Sequence, residues 1–307
     1  MPGKKDKYFN SIFNIKKLLF MCKIYNNDIV DKIINLSFKD ININDCVDEI
    51  IIDKLISSVH FYINVDIARD IRIMKQIFIS KLTLIPIIFG MYSTNKSFVT
   101  VDLSYYLSIP NIIQTKTICE TIMLGNAIDE LSPKISEGDD CKNFKGFMEN
   151  YMHKCKIISK IVFFEIEKSL KQGKSKIFCG YNLFIPYVFD MKYNGIFPKP
   201  DFLNEIKNKD STLNHYLYYI CNENNCKTNA LFFPIILNIE NFHVNDFNSI
   251  FLKKQEYILT KTINNKFGWP VKIVNHDPKN PQHSSKIIHS YILETLKVLY
   301  YTGKWTI

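Results

Sequence analysis

Cys221 and Cys226 enclose the polar turn Asn-Glu-Asn-Asn, and His215 lies six residues before the first thiol. Thiolates and imidazoles are the ligands that Zn²⁺ prefers, and two thiols across a short turn can chelate one ion. A structural zinc held by Cys221, Cys226 and His215 is therefore the one cofactor this reading offers. His276, His283 and His289 follow at a distance. No second Cys pair accompanies the first, and two ordinary, partly buried thiols are the plainer reading.

Other fragments imitate catalytic motifs and fall short. Gly173-Lys174-Ser175 resembles the end of a phosphate loop, but Lys168 stands at the upstream glycine position and the tripeptide follows a long helical pattern. A helix end presents carbonyls, which is the wrong polarity for a phosphate, so a helix stop is expected there. Asp201, Glu205 and Lys207 imitate the acids and lysine of metal-dependent nucleases. Only three residues separate the two acids, too few for two strands and a turn. His153 and Cys155 lie two apart on a helical pattern and point in different directions. No complete phosphate loop, His-Glu-x-x-His, Cys-x-x-Cys or Gly-x-Ser-x-Gly is found. The expectation is a protein with no catalytic residues.

The elements that would position these groups read as follows. Apolar residues at helical spacing predict four N-terminal helices, built on Phe9–Leu19, Ile29–Ile34, Val47–Ile56 and Ile67–Phe78. Leu82–Phe89 and Ser97–Leu103 read as strands, with Pro86 placing the first near an edge. Helices are predicted over 112–126 and 140–171, the latter ending at Gly173. Lys176–Phe189 and Ala230–Ile239 read as strands, Leu213–Cys221 as a helix between them, and 246–260 as a further helix. A last helix is predicted over 285–301, capped by Ser284. The expected fold class is α+β, a predominantly helical single body (1–267) with a small mixed or antiparallel sheet. A Pro-rich hinge (268–283) leads to a C-terminal helical arm (284–307).

Composition narrows the partners. The 307 residues are 47% hydrophobic and 14% aromatic, enough for a large core, and the net charge is +9. Arg69 and Arg72 are the only arginines. Lysine attracts phosphate diffusely but lacks the fork that reads bases, so any contact with DNA should be sequence-independent and salt-sensitive. Eight scattered cysteines do not form a secreted disulfide framework. No apolar run reaches the length of a membrane span and no leader is expected, which predicts reduced thiols in cytosol or nucleus.

Two phrases carry a resemblance. Asn143-Phe144-Lys-Gly146-Phe147-Met-Glu-Asn150, and later Asn241-Phe242-His-Val-Asn245-Asp246-Phe247, resemble phrases in the same order in the major nucleocapsid protein family of baculoviruses and nudiviruses. The family's N-terminal cysteine cluster has no counterpart, since Cys22 and Cys46 stand singly. The resemblance implies a non-catalytic shell subunit that pairs with itself and stacks around double-stranded DNA, in the virion nucleocapsid and host nucleus. It implies structural roles for the matched residues: Gly146 for a close approach, Phe147, Phe242 and Phe247 for packing, and Asn245-Asp246 for a turn or cap. The alternatives are a non-enzymatic nucleic-acid-binding or scaffold protein, and a metal-dependent enzyme assembled from dispersed Cys and His.

Overall fold

Two apolar runs dominate the architecture. The computed structural model describes residues 12–38, 48–63, 68–80, 82–91, 94–124, 144–184, 217–221, 228–239, 254, 257–258 and 271–301. The chain forms two compact units. One comprises 82–102 and 109–288; the other comprises 1–81, 103–108 and 289–307.

The first unit is built on a six-stranded sheet. Its strands are β1 (Thr83–Gly90), β2 (Ile112–Gln114), β3 (Ile177–Gly180), β4 (Leu217–Cys221), β5 (Thr228–Asn238) and β6 (Lys272–Asn275). The order is β2-β3-β1-β5, and both β4 and β6 lie along the far side of β5. Every pairing is parallel except β4 with β5. β1 and β5 pair over their length, from Thr83 opposite Ala230 to Gly90 opposite Leu237. Both are buried on both faces, which is why they read as unbroken apolar runs instead of alternating ones.

Helix α7 (Phe144–Gln172) covers one face. Its Tyr151, Cys155, Ile158, Val162, Ile166 and Leu170 meet Ile85, Ile87 and Phe89 of β1, with Phe178 and Phe232, in one apolar cluster. The helix stops at Gly173, whose φ of 61° supplies the left-handed residue of a Schellman cap. Gly173 N–H donates to the Leu170 carbonyl and Lys174 N–H to that of Ser169.

This is an α/β fold, and the expected α+β body with a small mixed or antiparallel sheet is overturned. Short apolar runs do not declare their direction, and the internal prolines misled. Pro86 lies in the central strand, not at an edge. It precedes Ile87, where the β1–β3 ladder begins, and Pro234 falls between the stretches of β5 paired with β4 and β6. Each proline thus sits where one ladder is interrupted, the place where its missing N–H costs the sheet least.

Three local expectations also fail. Ser97–Leu103 is not a strand but part of helix α5 (Lys96–Leu107), which buries Val99, Leu103, Tyr106 and Leu107 at helical spacing. Residues 112–126 open with β2 before helix α6 (Thr115–Leu124). Leu217–Cys221 is a strand, because its backbone completes the edge of β5. The last helix, α8, runs Pro281–Tyr301, with proline as its first residue, so Ser284 lies inside it. Residues 185–189 of the predicted third strand, and most of 246–260, lie outside the described residues.

The other unit is helical: α1 (Ile12–Met21), α2 (Asn27–Phe38), α3 (Asp48–Ile63) and α4 (Ala68–Ser80). Asn26 caps α2, its Oδ1 accepting from the N–H groups of Asp28 (2.9 Å) and Ile29 (3.2 Å). Ile15, Leu19, Val30, Ile33, Ile52, Leu55 and Ile71 are among its buried residues. His289 is also buried here, 2.5 Å through Nδ1 from the Tyr25 hydroxyl.

Candidate phosphate-binding site

In parallel sheets, ligands bind beyond the carboxyl ends of the strands, where neighbouring strands send their connections opposite ways. Here that point lies between β1 and β5. From β1 the chain passes to β2 beyond β3, and from β5 it passes to β6 on the other side. The turn leaving β1 is therefore the place to look for chemistry.

Residues 90–97 read Gly-Met-Tyr-Ser-Thr-Asn-Lys-Ser. This is the phosphate-loop spacing, glycine, four residues, glycine, lysine and serine, with Asn95 in place of the second glycine. The context is also that of a phosphate loop, a strand leading through a turn into a helix. Residues 92 and 93 lie outside the described residues.

Each position has a local reason. A Cβ on Gly90 would come 3.1 Å from Lys96 Cδ, 3.1 Å from Thr94 Oγ1 and 3.2 Å from Leu237 Cβ. Glycine is what lets the lysine stem fold back over the strand end. Asn95 has a φ of 47°, a left-handed conformation that asparagine tolerates better than most residues. Its carbonyl accepts from the N–H groups of Phe98 (3.0 Å) and Val99 (3.2 Å), which starts α5. Its Nδ2 donates to the Pro278 carbonyl at 2.8 Å, tying this turn to the one after β6.

Lys96 Nζ donates to the Met91 carbonyl and, at 2.8 Å, to Thr94 Oγ1. Thr94 is buried and itself donates to the Met91 carbonyl at 2.9 Å. The ammonium is thus held inside its own loop. Burial pushes its pKa from the ordinary 10.5 to about 8, against the opposing pull of Cys179. Ser97 is exposed at the first turn of the helix, where N–H groups and the dipole favour an anion.

Three further groups border the loop. His276 follows β6 and is 4% exposed, with Nδ1 2.7 Å from Ser284 Oγ. Burial pushes its imidazole below the usual value, Lys96 adds to this, and the Thr94 backbone and Asp277 oppose it. Cys179, near the end of β3, lies 3.6 Å from Thr100 Oγ1, and burial raises its thiol. Gly180 ends the same strand, and a Cβ there would collide with Thr115 Oγ1. A phosphate loop normally works with an aspartate that helps hold Mg²⁺. Here β3, the neighbour of β1, ends in Cys179-Gly180, and neither residue is acidic.

The residues singled out from sequence fall elsewhere. Cys221 is the last residue of β4, while His215 and Cys226 lie outside the described residues. Among the described residues no group of three or more His, Cys, Asp or Glu could hold a metal ion. Gly173-Lys174-Ser175 forms the helix stop described above. Phe144, Gly146, Phe147 and Asn150 lie on the first turns of α7. The rings of Phe144 and Phe147 stack at 6.3 Å, with Lys254 Nζ 4.5 Å from the centroid of Phe144. Gly146 has nothing within 4 Å of an added Cβ among the described residues, so the close approach expected of it is absent. Asn143, Asn241, Phe242, Asn245, Asp246 and Phe247 lie outside the described residues. Residues 201–207 do so too.

The 90–97 turn went unread in the sequence, although its signal was there: a glycine closing an apolar run, six positions before Lys-Ser. No protein-family model, curated protein or solved structure matches this chain.

Proposed function

We propose that the unit formed by 82–102 and 109–288 binds a nucleoside triphosphate through its 90–97 turn. One observation carries this reading. At the carboxyl end of the central parallel strand, a lysine at phosphate-loop spacing is folded onto its own loop, with Nζ on the Met91 carbonyl and Thr94 Oγ1. Lys96 would reach the outer phosphates, the N–H groups at the start of α5 would face the chain of phosphates, and the Ser97 hydroxyl would meet the Mg²⁺ that travels with the nucleotide. With Cys179-Gly180 where an acid would help hold that ion, the site suits holding nucleotide better than turning it over.

Calorimetry of the full chain with MgATP and MgGTP, with phosphate release followed in parallel, tests this. Micromolar binding that is lost in Lys96→Ala supports it, and an absence of binding to either nucleotide sinks it.

The shell reading stands beside it as a second proposal, with self-assembly and lysine contact to DNA in a virion nucleocapsid. What favours it is exposed aromatic surface, with Phe61 76% and Phe164 61% exposed, of a kind used in subunit contacts. Electron microscopy with light scattering decides it. Tubes, rings or stable dimers support assembly, and a persistent monomer across protein concentration and salt ends it.

A further inference from the structure

Positive charge also gathers at the other end of the sheet, where β2 and β3 begin. A cleft of about 370 Å³ opens there, between residues 110–113, which lead into β2, and the end of α7 with the segment that follows it. This is the size of a small-molecule site. Lys168, Lys174 and Lys176 all line it. The segment that carries the last two is pinned to the sheet. Lys176 N–H donates to the Leu84 carbonyl at 3.2 Å, and Ser175 Oγ accepts from Leu84 N–H at 2.8 Å.

The charges around the cleft do not balance. Glu165 lies 2.6 Å from Lys176 Nζ and 3.8 Å from Lys168 Nζ, so one carboxylate serves two ammoniums. Glu167 is engaged by Lys171 at 2.8 Å. Lys174 pairs with no carboxylate among the described residues. Lysines near a helix end ordinarily answer its dipole. Here the carbonyls of Ser169 and Leu170 are already met by the N–H groups of Lys174 and Gly173. Lys176, with a side chain 8% exposed, reaches the cleft from the start of β3 and not from the helix. Two elements thus bring three cations to one opening. Ammonium groups attract phosphate as point charges, and three of them suit a ligand with more than one phosphate. Asn111 and Gln172 add amides that can meet ester or hydroxyl oxygens.

We propose that this cleft binds a small molecule carrying two or more phosphate groups, with Lys168, Lys174 and Lys176 as its cationic contacts. The site is separate from the 90–97 turn and does not depend on the nucleotide reading. Glu165 then has a defined part, holding the buried Lys176 in place and moderating the charge of the site.

Calorimetry of the full chain with tripolyphosphate and with inositol hexakisphosphate, both without Mg²⁺, tests this. Lys96→Ala serves as the reference, since it silences the 90–97 turn. It should bind at least one of the two anions, and which one it prefers tells a linear phosphate chain from a phosphorylated ring. Adding Lys168→Gln and Lys174→Gln, both at exposed positions, should weaken that binding roughly 5- to 30-fold. Adding Glu165→Gln instead should tighten it several-fold, because the charge of Lys176 is then unopposed. Unchanged affinity in the lysine variant, or weaker binding in Glu165→Gln, overturns the assignment. Binding by wild type that vanishes in Lys96→Ala places the anion on the 90–97 turn, which overturns the cleft and keeps the nucleotide site. Wild type that binds neither anion overturns the cleft and leaves the nucleotide reading to its own test with MgATP. An oligonucleotide that binds where neither small anion does overturns the ligand class. Should Glu165→Gln not fold, Lys174→Glu takes its place. It should cost more affinity than Lys174→Gln, and an equal or smaller loss refutes the contact.

Discussion

Replacing Lys96 with methionine should stabilise the protein while abolishing phosphate binding. The fold holds this ammonium at a pKa of about 8 against an ordinary 10.5, because burial strips its water. At about 1.4 kcal/mol per pH unit, keeping the charge at pH 7 costs the folded state on the order of 3 kcal/mol. Methionine keeps most of the stem's apolar volume and removes the charge. The Met91 carbonyl keeps its bond from Thr94 Oγ1, so this acceptor is not orphaned. Allowing for the two lysine hydrogen bonds lost, a gain of about 1–3 kcal/mol is expected, raising Tm by roughly 3–10 °C. The pH dependence gives the sharper test. Below pH 8 the lysine is charged in both states and the full cost is present. Between 8 and 10.5 the folded chain has released its proton and the unfolded chain has not, so wild-type stability rises with pH. The gap between wild type and Lys96→Met should therefore be widest at pH 7 and close by about pH 10.5. Urea melts at pH 7, 8, 9 and 10 measure it, with MgATP binding read on the same samples. A variant less stable than wild type at pH 7, or a gap that ignores pH, would refute the picture of a desolvated cation waiting for an anion.

Three more outcomes follow from single positions. Gly90→Ala drives a methyl against Lys96, Thr94 and Leu237, the last fixed by the β1–β5 ladder. It should lower stability by about 1–3 kcal/mol, seen in thermal melts, and weaken nucleotide binding more than any substitution on α7 does. Glu165→Gln breaks the 2.6 Å bond from Lys176, whose side chain is 8% exposed, at a cost of about 1–3 kcal/mol at pH 7. That bond is the main cause holding the Glu165 carboxyl below its ordinary 4.5. Its contribution is present above that value and lost as pH falls through the folded one, so the variant's deficit in urea should vanish in acid. His289 is pushed down to about 3 by burial, with Lys23 adding to the effect. The unfolded chain takes up a proton between pH 6.5 and 3 that the folded chain refuses, so wild-type stability falls as pH drops below 6.5. At pH 5 this amounts to about 2 kcal/mol, and His289→Phe should flatten that slope in melts at pH 5 and 7.

How far the sequence could be read depended on the kind of signal. Helix α7 was legible because its buried residues recur every third or fourth position over eight turns, and Gly173 marks its end. β1 and β5 were legible as strands, yet their direction was not. An apolar run of eight residues looks the same in a parallel or an antiparallel sheet, and Pro86 and Pro234 argued for edges. Only the interrupted ladders on one side of each show why a proline can sit centrally. The site was missed for a linked reason. Ser-Phe-Val-Thr-Val-Asp-Leu, residues 97–103, alternates and is rich in β-branched side chains, so it reads as a strand. Once that stretch is taken as a strand, Lys96-Ser97 cannot open a helix, and the glycine at 90 loses its meaning. His276 was visible only as a distant companion of the Cys221–Cys226 pair, and its place beside the loop follows from β6 pairing with β5.

Two unfavourable features gather at the 90–97 turn: Lys96 is a desolvated cation and Asn95 is a non-glycine residue at left-handed φ. Tertiary structure can hold either one of these by accident. Strain and unmet polar groups persist where the surrounding fold imposes them, and they concentrate at functional sites. At the 90–97 turn an anion answers the cation and meets the N–H groups that open α5. A neutral or cationic ligand would answer neither, so the sign of the ligand's charge is the part of the reading that the geometry constrains most.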